Sequence, residues 1–320
     1  MKEFLQFHTA ASGACAAADR PRIVAVGVFD GVHLGHRAIV RAAGEAAAKR
    51  NAIPAAVSFT PHPRCVFAPE QAPVLLMPEA ERVRRLREAG AAETAFIVFD
   101  GEVAKWTPEE FLERLAENRR FRIAGICVGE HWRFGRDGSG DGAALERFCA
   151  ARGWSCDRIP EVMADGEIVS SSGIRRAAAA GDLAKVRRLT GSPLTLYGRV
   201  VHGFQVAGPE LTAPTANLEL TAGVMPPDGV YAGQVALDGA VFPAAVNLGF
   251  APTFHRTCRR IEIHLLGFSG TLYDRELAVE LLAFLRPERE FSSPAELKRQ
   301  IAADIARVAA VREQDGKEKS

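Results

Sequence analysis

The sequence predicts an α/β domain built on a parallel sheet, followed by an antiparallel β-sheet or barrel and a C-terminal helix. Three observations carry this expectation. Short apolar runs alternate with amphipathic segments over the first half, that rhythm stops near residue 190, and β-rich runs then follow one another with Pro and Gly turns and no helix between them. The early runs are IVAV (23–26), AAVSF (55–59), AFIVF (95–99) and IAGICV (123–128), separated by helical patterns at 36–50, 79–89 and 108–118. The third helix has its own start signal, with Thr107 as cap, Pro108 at the first helical position and Glu110 placed to close a capping box. Strand–helix–strand alternation makes neighbouring strands parallel, with helices on both faces. Beyond residue 190 the runs LYGRVVH, VYAGQVAL, AVFPAAVNL, RRIEIHLL and RELAVELLAF read as antiparallel strands. A last helix opens at SSPAELKRQI, where Ser293 caps, Pro294 leads and Glu296 completes a box. The division falls near Gly191 and defines domains at 1–188 and 189–312, with the charged residues 313–320 read as a disordered tail.

Composition narrows the function classes. A chain of 320 residues, 48% hydrophobic and 25% charged, can bury the cores of two domains. Lys and Arg total 40 against 39 Asp and Glu, a net charge of +1, which argues against nucleic-acid or membrane-surface partners that need a clustered basic field. Six cysteines lie scattered without a CxxC pair, so the reading is reduced thiols in a cytoplasm rather than a disulfide frame or zinc site. No apolar run approaches the roughly 20 residues of a membrane span. The small-residue stretch AASGACAAA reads as a loop, because Glu3 and His8 interrupt any signal-like apolar segment before it.

The most informative stretch is GVFDGVHLGH (27–36), two histidines and an aspartate among glycines directly after the first strand run. In an open parallel sheet, ligands sit outside the carboxyl ends of the strands, where this loop leads into a helix expected to begin about His36. Gly27, Gly31 and Gly35 let backbone approach a ligand, and the free N–H groups of the helix start attract anions. Imidazoles at His33 and His36 can both donate to phosphate oxygens, dispersing the charge that builds when a phosphate is attacked. The competing readings are two solvated loop histidines, or a zinc site for which no third ligand stands at a suitable spacing.

These residues resemble a family. GVFDGVHLGH resembles the HxGH signature of nucleotidylyltransferases in its bacterial FAD synthetase form. FTPHP (59–63) resembles that form's second motif, and SSSGIR (170–175) is similar to its SSTxIR segment with Ser172 in place of threonine. In the second half, GRVVHG (198–203), PTAN (214–217), GVYAG (229–233), NLGFAPTF (247–254), IEIHLL (261–266) and LRPE (285–288) resemble the riboflavin kinase module that follows in that family. The resemblance implies a Rossmann-like nucleotidylyltransferase domain and a riboflavin kinase-like barrel. It implies ATP, riboflavin and FMN as small-molecule substrates, FAD as product and Mg2+ as cofactor, with the number of subunits left open. Carried over by position, Gly27, Phe29, Asp30, Gly31, His33 and His36 would line the ATP site, with both histidines catalytic and Ser171, Ser172 and Arg175 holding the triphosphate. His62, Gly129, His131 and Phe134 would face the flavin, Thr215 and Asn217 would hold the metal, and Glu262 would be the general base on the riboflavin hydroxyl.

Two places depart from the family. In GEHWRFGRDGSGDG (129–142), His131 stands where the family has Asp or Asn, and no GK[ST] follows that would make the segment a phosphate loop. Before PTAN the family pattern is G-R-x-L-G-F-P-T-A-N, whereas this chain reads GPELTAPTAN (208–217), with Pro209, Thr212 and Ala213 replacing arginine, glycine and an aromatic. Proline removes a donor and threonine resists positive φ, so a backbone cradle for phosphates is weakened. Ala251 replaces the arginine of the NIGxRPTF motif. The alternatives to a bifunctional enzyme are adenylylation alone, with the second domain kept for flavin binding or stability, and a flavin-binding sensor. Alternation in IEIHLL leaves a further reading of Glu262 as an outward strand residue.

Overall fold

The structure is a computed structural model that describes residues 5–8, 20–118, 122–201, 216–253 and 256–318. By internal contacts the chain divides into one unit of residues 1–73 and 79–171 and a second of 74–78 and 172–320.

In the first unit, β1 (Leu5–His8) precedes β2 (Arg22–Val26), whose five residues are all buried. Helix α1 (Leu34–Lys49) leads to β3 (Ile53–Thr60), then the short α2 (Arg64–Phe67), α3 (Glu79–Glu88) and β4 (Glu93–Val98). Helix α4 (Pro108–Ala116), β5 (Ile123–Gly129), α5 (Gly142–Arg152) and β6 (Ser155–Ile159) follow, then the two-stranded β7 (Met163–Ala164) and β8 (Glu167–Ile168). The main sheet has the order β1-β4-β3-β2-β5-β6, in which β2 to β6 run parallel and β1 adds an antiparallel edge. The chain turns from β2 to β3 and β4 on one side and reaches β5 and β6 on the other, so the loop after β2 occupies the topological switch point.

One face of this sheet, with Val24, Val26, Val57, Ile97, Ile126 and Val128, packs against Phe111, Leu112 and Leu115 of α4 and Leu145 and Cys149 of α5. Helix α1 lies over β2, β3 and β5 and buries Ile39, Val40, Ala43 and Ala47. The capping box of α4 forms as its sequence suggests: Thr107 Oγ1 accepts from Glu110 N at 3.2 Å and Glu110 Oε2 from Thr107 N at 2.8 Å.

The second unit begins with most of α6 (Ser171–Ala179) and α7 (Leu183–Thr190), the latter packed on β9 (Leu194–Val201) and β14 (Glu276–Arg286). With β10 (Ala216–Ala222), β11 (Gly229–Leu237), β12 (Ala240–Thr253) and β13 (Arg256–Leu265), these strands close a six-stranded antiparallel barrel in the order β10-β13-β12-β11-β14-β9. Val200, Val235, Val246, Leu248, Ile263 and Val279 are wholly enclosed in it. Helix α8 (Pro294–Glu318) covers the outer face through Val308, which packs with Val230, Ala232 and Leu285.

Helix α8 runs to Glu318, through most of the segment 313–320 that the sequence suggests as a tail.

Candidate active sites

The first site grows out of the end of β2. Gly27 leaves room for the Phe29 ring, which a Cβ there would meet at 2.9 Å. The chain then takes positive φ at Phe29 (52°), Gly31 (92°) and Val32 (36°). A β-branched valine in the left-handed region is strained, and it persists because Phe29 and Val32 are both fully buried and cannot swing out. The turn brings His33 to the N-cap of α1, whose first residue, Leu34, lies two residues before the expected helix start.

That cap sets the chemistry of the histidines. His33 Nδ1 accepts from the His36 backbone N–H at 3.3 Å, so a neutral His33 carries its proton on Nε2. Gly35 keeps the ring in place, since a Cβ there would press on it at 3.2 Å. The His36 ring stacks on His33, with centroids 3.6 Å apart and planes 19° apart, and receives the edge of Phe29 at 5.3 Å. His36 Nδ1 is enclosed with no hydrogen-bond partner. Burial holds the His36 pKa well below 6.5, and the charges of His33 and Arg82 push the same way. A neutral His36 thus stacks on His33 beside the free amides of a helix start.

Asp30 is 1% exposed and Phe29 fully buried, so what these residues offer a ligand is backbone rather than side chain. The Asp30 carbonyl accepts from Ser171 Oγ at 2.8 Å, which ties the first residue of α6 to this loop. Ser172 and Arg175 follow in α6 within the second unit, with Ser172 exposed and Arg175 Nε donating to Val74 O at 2.8 Å.

The second site is a row across three barrel strands. Glu262 on β13 stands in register with Asn217 on β10 and with Asn247 on β12. Its neighbours Ile261 and Ile263 point into the barrel, so Glu262 faces outward as alternation suggests, yet it is half-buried. Cross-strand neighbours on one face lie about 5 Å apart, close enough for one ligand to touch all three. Asn247 Nδ2 donates to Glu288 Oε1 at 3.4 Å. A Cβ on Gly249 would fall 1.8 Å from the same oxygen, so this glycine is what admits the Glu288 carboxylate.

Comparison with known proteins agrees with both halves. The family model described as FAD synthetase matches residues 15–173, and the one described as riboflavin kinase matches residues 190–312. The bifunctional riboflavin kinase/FMN adenylyltransferase of Escherichia coli K12 is 35% identical over 283 residues, 88% of this chain and 90% of that protein. This chain belongs to the bifunctional riboflavin kinase/FMN adenylyltransferase family. Other relatives so described include those of Pseudomonas fluorescens, 35% identical over 89% of this chain and 91% of its own, and Bacillus subtilis, 28% identical over 88% and 90%. A crystal structure described as a macrolide-efflux protein from Streptococcus pneumoniae is similar at a TM-score of 0.76 and 28% identity, over 89% of this chain and 93% of that one. Among the described residues no helix is long and apolar enough to cross a membrane.

In the FAD synthetase domain the residues expected at the flavin differ in burial. His62 is half-buried and its Nδ1 accepts from Arg64 N at 3.2 Å. Gly129 ends β5, and His131 is 74% exposed with Nε2 3.8 Å from Glu161 Oε1. Phe134 belongs to the core, stacked on Trp132 at 4.6 Å and close to Phe111, with Gly140 clearing space for its ring. In the riboflavin kinase domain Ala251 lies on β12 in register with Cys258. Thr215, Pro209, Thr212 and Ala213 fall outside the described residues.

Sequence reading missed Arg82 of α3. It is 2% exposed, and its Nη1 reaches the carbonyls of Val28 (3.2 Å) and Phe59 (3.0 Å) and the Ser58 hydroxyl (3.2 Å). One signal was available: at one position before Val83 and four before Leu86, Arg82 lies on the helix face those residues bury.

Proposed function

We propose that this chain makes FAD from riboflavin in two ATP-dependent steps, phosphorylating riboflavin in the riboflavin kinase domain and adenylylating FMN in the FAD synthetase domain. The observation that carries the reading is the stacked pair of His33 and His36 at the N-terminus of α1, where His33 Nδ1 caps the helix. The FMN phosphate would attack the α-phosphate of ATP and expel pyrophosphate. His33 and His36 donate to the phosphate oxygens on which charge accumulates, and the amides of the loop Gly27–Gly31 and of the start of α1 hold the rest. By the motif they match, Ser171, Ser172 and Arg175 are assigned to the ATP triphosphate. Catalysis is then positioning and charge dispersal with no covalent intermediate.

In the kinase domain Glu262 accepts the proton of the riboflavin hydroxyl as that oxygen takes the γ-phosphate, with Asn217 and Asn247 on either side. The Thr215 hydroxyl and Asn217 amide form an all-oxygen donor set, which suits Mg2+ shared with substrate phosphates; bound there it would neutralise phosphate charge. His62, Gly129 and His131 are assigned to the flavin side of the first domain, with Phe134 as a wall behind it. Both reactions are placed in the cytoplasm, with small molecules as the substrates. Pro209, Thr212, Ala213 and Ala251 favour a kinase with a high KM for ATP over one that is lost, because Asn217 and Glu262 remain paired across the barrel.

Labelled ATP tests the division of labour. With riboflavin, label from the γ-phosphate should appear in FMN and FAD, and label from the α-phosphate in FAD alone. Label from the α-phosphate in FMN, or none in FAD, would overturn the scheme.

A further inference from the structure

We infer that Arg82 is a positioning residue for adenylyl transfer, fixing the point at which the loop bearing His33 and His36 leaves the sheet; the inference rests on the reading that those histidines contact the transferred phosphate. The guanidinium lies across the carboxyl ends of two adjacent parallel strands. Nη1 reaches Val28 O just beyond β2 and Phe59 O near the end of β3, while Ser58 Oγ donates to the same Val28 carbonyl at 2.8 Å. Val28 is the residue before Phe29, where the backbone first turns to positive φ. Pinning its carbonyl therefore sets the start of the strained turn that delivers His33 to its cap.

Packing alone does not account for an arginine here. The guanidinium lies over Phe96, 5.3 Å from its centroid, in a space an aliphatic side chain could fill. Instead the site holds a charge with its Nε enclosed and unpartnered. A buried charge with an unused donor is costly compared with an apolar side chain of similar size, so its retention calls for a use.

The charge has a neighbour that feels it. The groups acting on His36 are His33, from the same loop, and Arg82, from α3, while Asp30 and Glu79 act on Arg82 itself. A fixed positive charge opposes protonation of His36 and favours the neutral ring that both accepts stacking by His33 and donates from Nε2. Arg82 thus fixes the position of the loop and adds to burial and His33 in keeping its second histidine neutral.

The test uses the full-length chain with Arg82→Met and Arg82→Lys, and His36→Gln alongside. FMN-to-FAD kinetics are measured, riboflavin phosphorylation in the same preparation reports folding, and NMR of ring-labelled histidine follows the His36 titration. In Arg82→Met, kcat for FAD formation should fall at least tenfold with phosphorylation retained, and the His36 midpoint should rise towards 6.5. Arg82→Lys should keep the midpoint near that of the parent while kcat falls, because the lysine nitrogen stops one bond short of the position from which Nη1 reaches Val28, Ser58 and Phe59. Parental kcat in both variants, or a loss in Arg82→Met with the midpoint unmoved, overturns the inference. If Arg82→Met does not fold, Arg82→Lys decides, and parental kcat there is fatal. Full activity in His36→Gln would instead remove the histidine reading, whereas an inactive His36→Gln beside an active Arg82→Met would remove only the role of Arg82.

Discussion

His33 and His36 stack almost face to face, 3.6 Å between ring centroids, and the backbone N–H of the second donates to Nδ1 of the first. One residue thereby caps the helix, fixes its own tautomer and supports the ring of the other. Replacing His36 with Ala should leave the cap intact, since the bond to His33 comes from the backbone. FMN-to-FAD conversion should fall about 10²-fold or more, the usual scale for losing a preorganised donor. Riboflavin phosphorylation in the same preparation should be unchanged, and turnover of FMN at the parental rate would remove His36 from the mechanism.

The same pair makes stability depend on pH. The unfolded chain protonates His36 near 6.5, while the folded state resists until well below that value. The contribution of this group is therefore complete above 6.5 and is lost as pH falls from 6.5 towards the folded pKa. Urea unfolding at about pH 7.5 and 5.5 should show a smaller decline for His36→Gln than for the parent chain. Equal declines would mean that His36 is not held neutral.

Glu262 stands between Asn217 and Asn247 on the outer face of the barrel. Glu262→Gln keeps the shape and removes the proton acceptor, so riboflavin phosphorylation should drop by about 10² or more, the range of a general base. Adenylylation of supplied FMN should continue. A variant that phosphorylates riboflavin normally would return Glu262 to the role of an outward strand residue.

Helix α8 is held to the barrel by a buried ion pair, in which Arg286 Nε and Nη2 donate to Asp304 Oδ2 at 3.0 and 2.8 Å and Gln300 Nε2 donates to Oδ1 at 2.8 Å. The two side chains are 17% and 6% exposed, so removing one leaves a buried charge. Asp304→Ala should destabilise the kinase domain by about 3–5 kcal/mol in denaturant unfolding. A change below about 1 kcal/mol would mean that the pair is screened by water.

What the sequence displays and what it hides differ in range. The β2 strand, the loop after it and α1 are legible because IVAV is a dense apolar run and glycine and histidine punctuate its end. The outward position of Glu262 is legible because Ile261 and Ile263 alternate around it, whereas its part as a base comes only from the resemblance. The roles of the glycines are only partly readable: Gly31 takes positive φ, but Gly27 and Gly35 serve to clear the rings of Phe29 and His33, and the other left-handed positions fall on Phe29 and Val32. Burial of the flanking side chains overrides the local preference there. Strand β1 escapes notice because four residues pair with β4 some ninety positions away, at Leu5–Ile97 and Phe7–Ala95. Arg82 is hidden for a similar reason, since its acceptors lie just beyond β2 and on β3, far in sequence from its own segment, EAERVRRLRE.

The central claim is that both domains work, despite Pro209, Thr212, Ala213 and Ala251 in the kinase half. Incubating the purified chain with riboflavin, ATP and magnesium and separating the flavins by chromatography tests it most directly. The account predicts that riboflavin is consumed, FMN appears first and FAD follows. Riboflavin left unchanged at every ATP concentration, while added FMN still becomes FAD, would contradict it and leave adenylylation as the only activity.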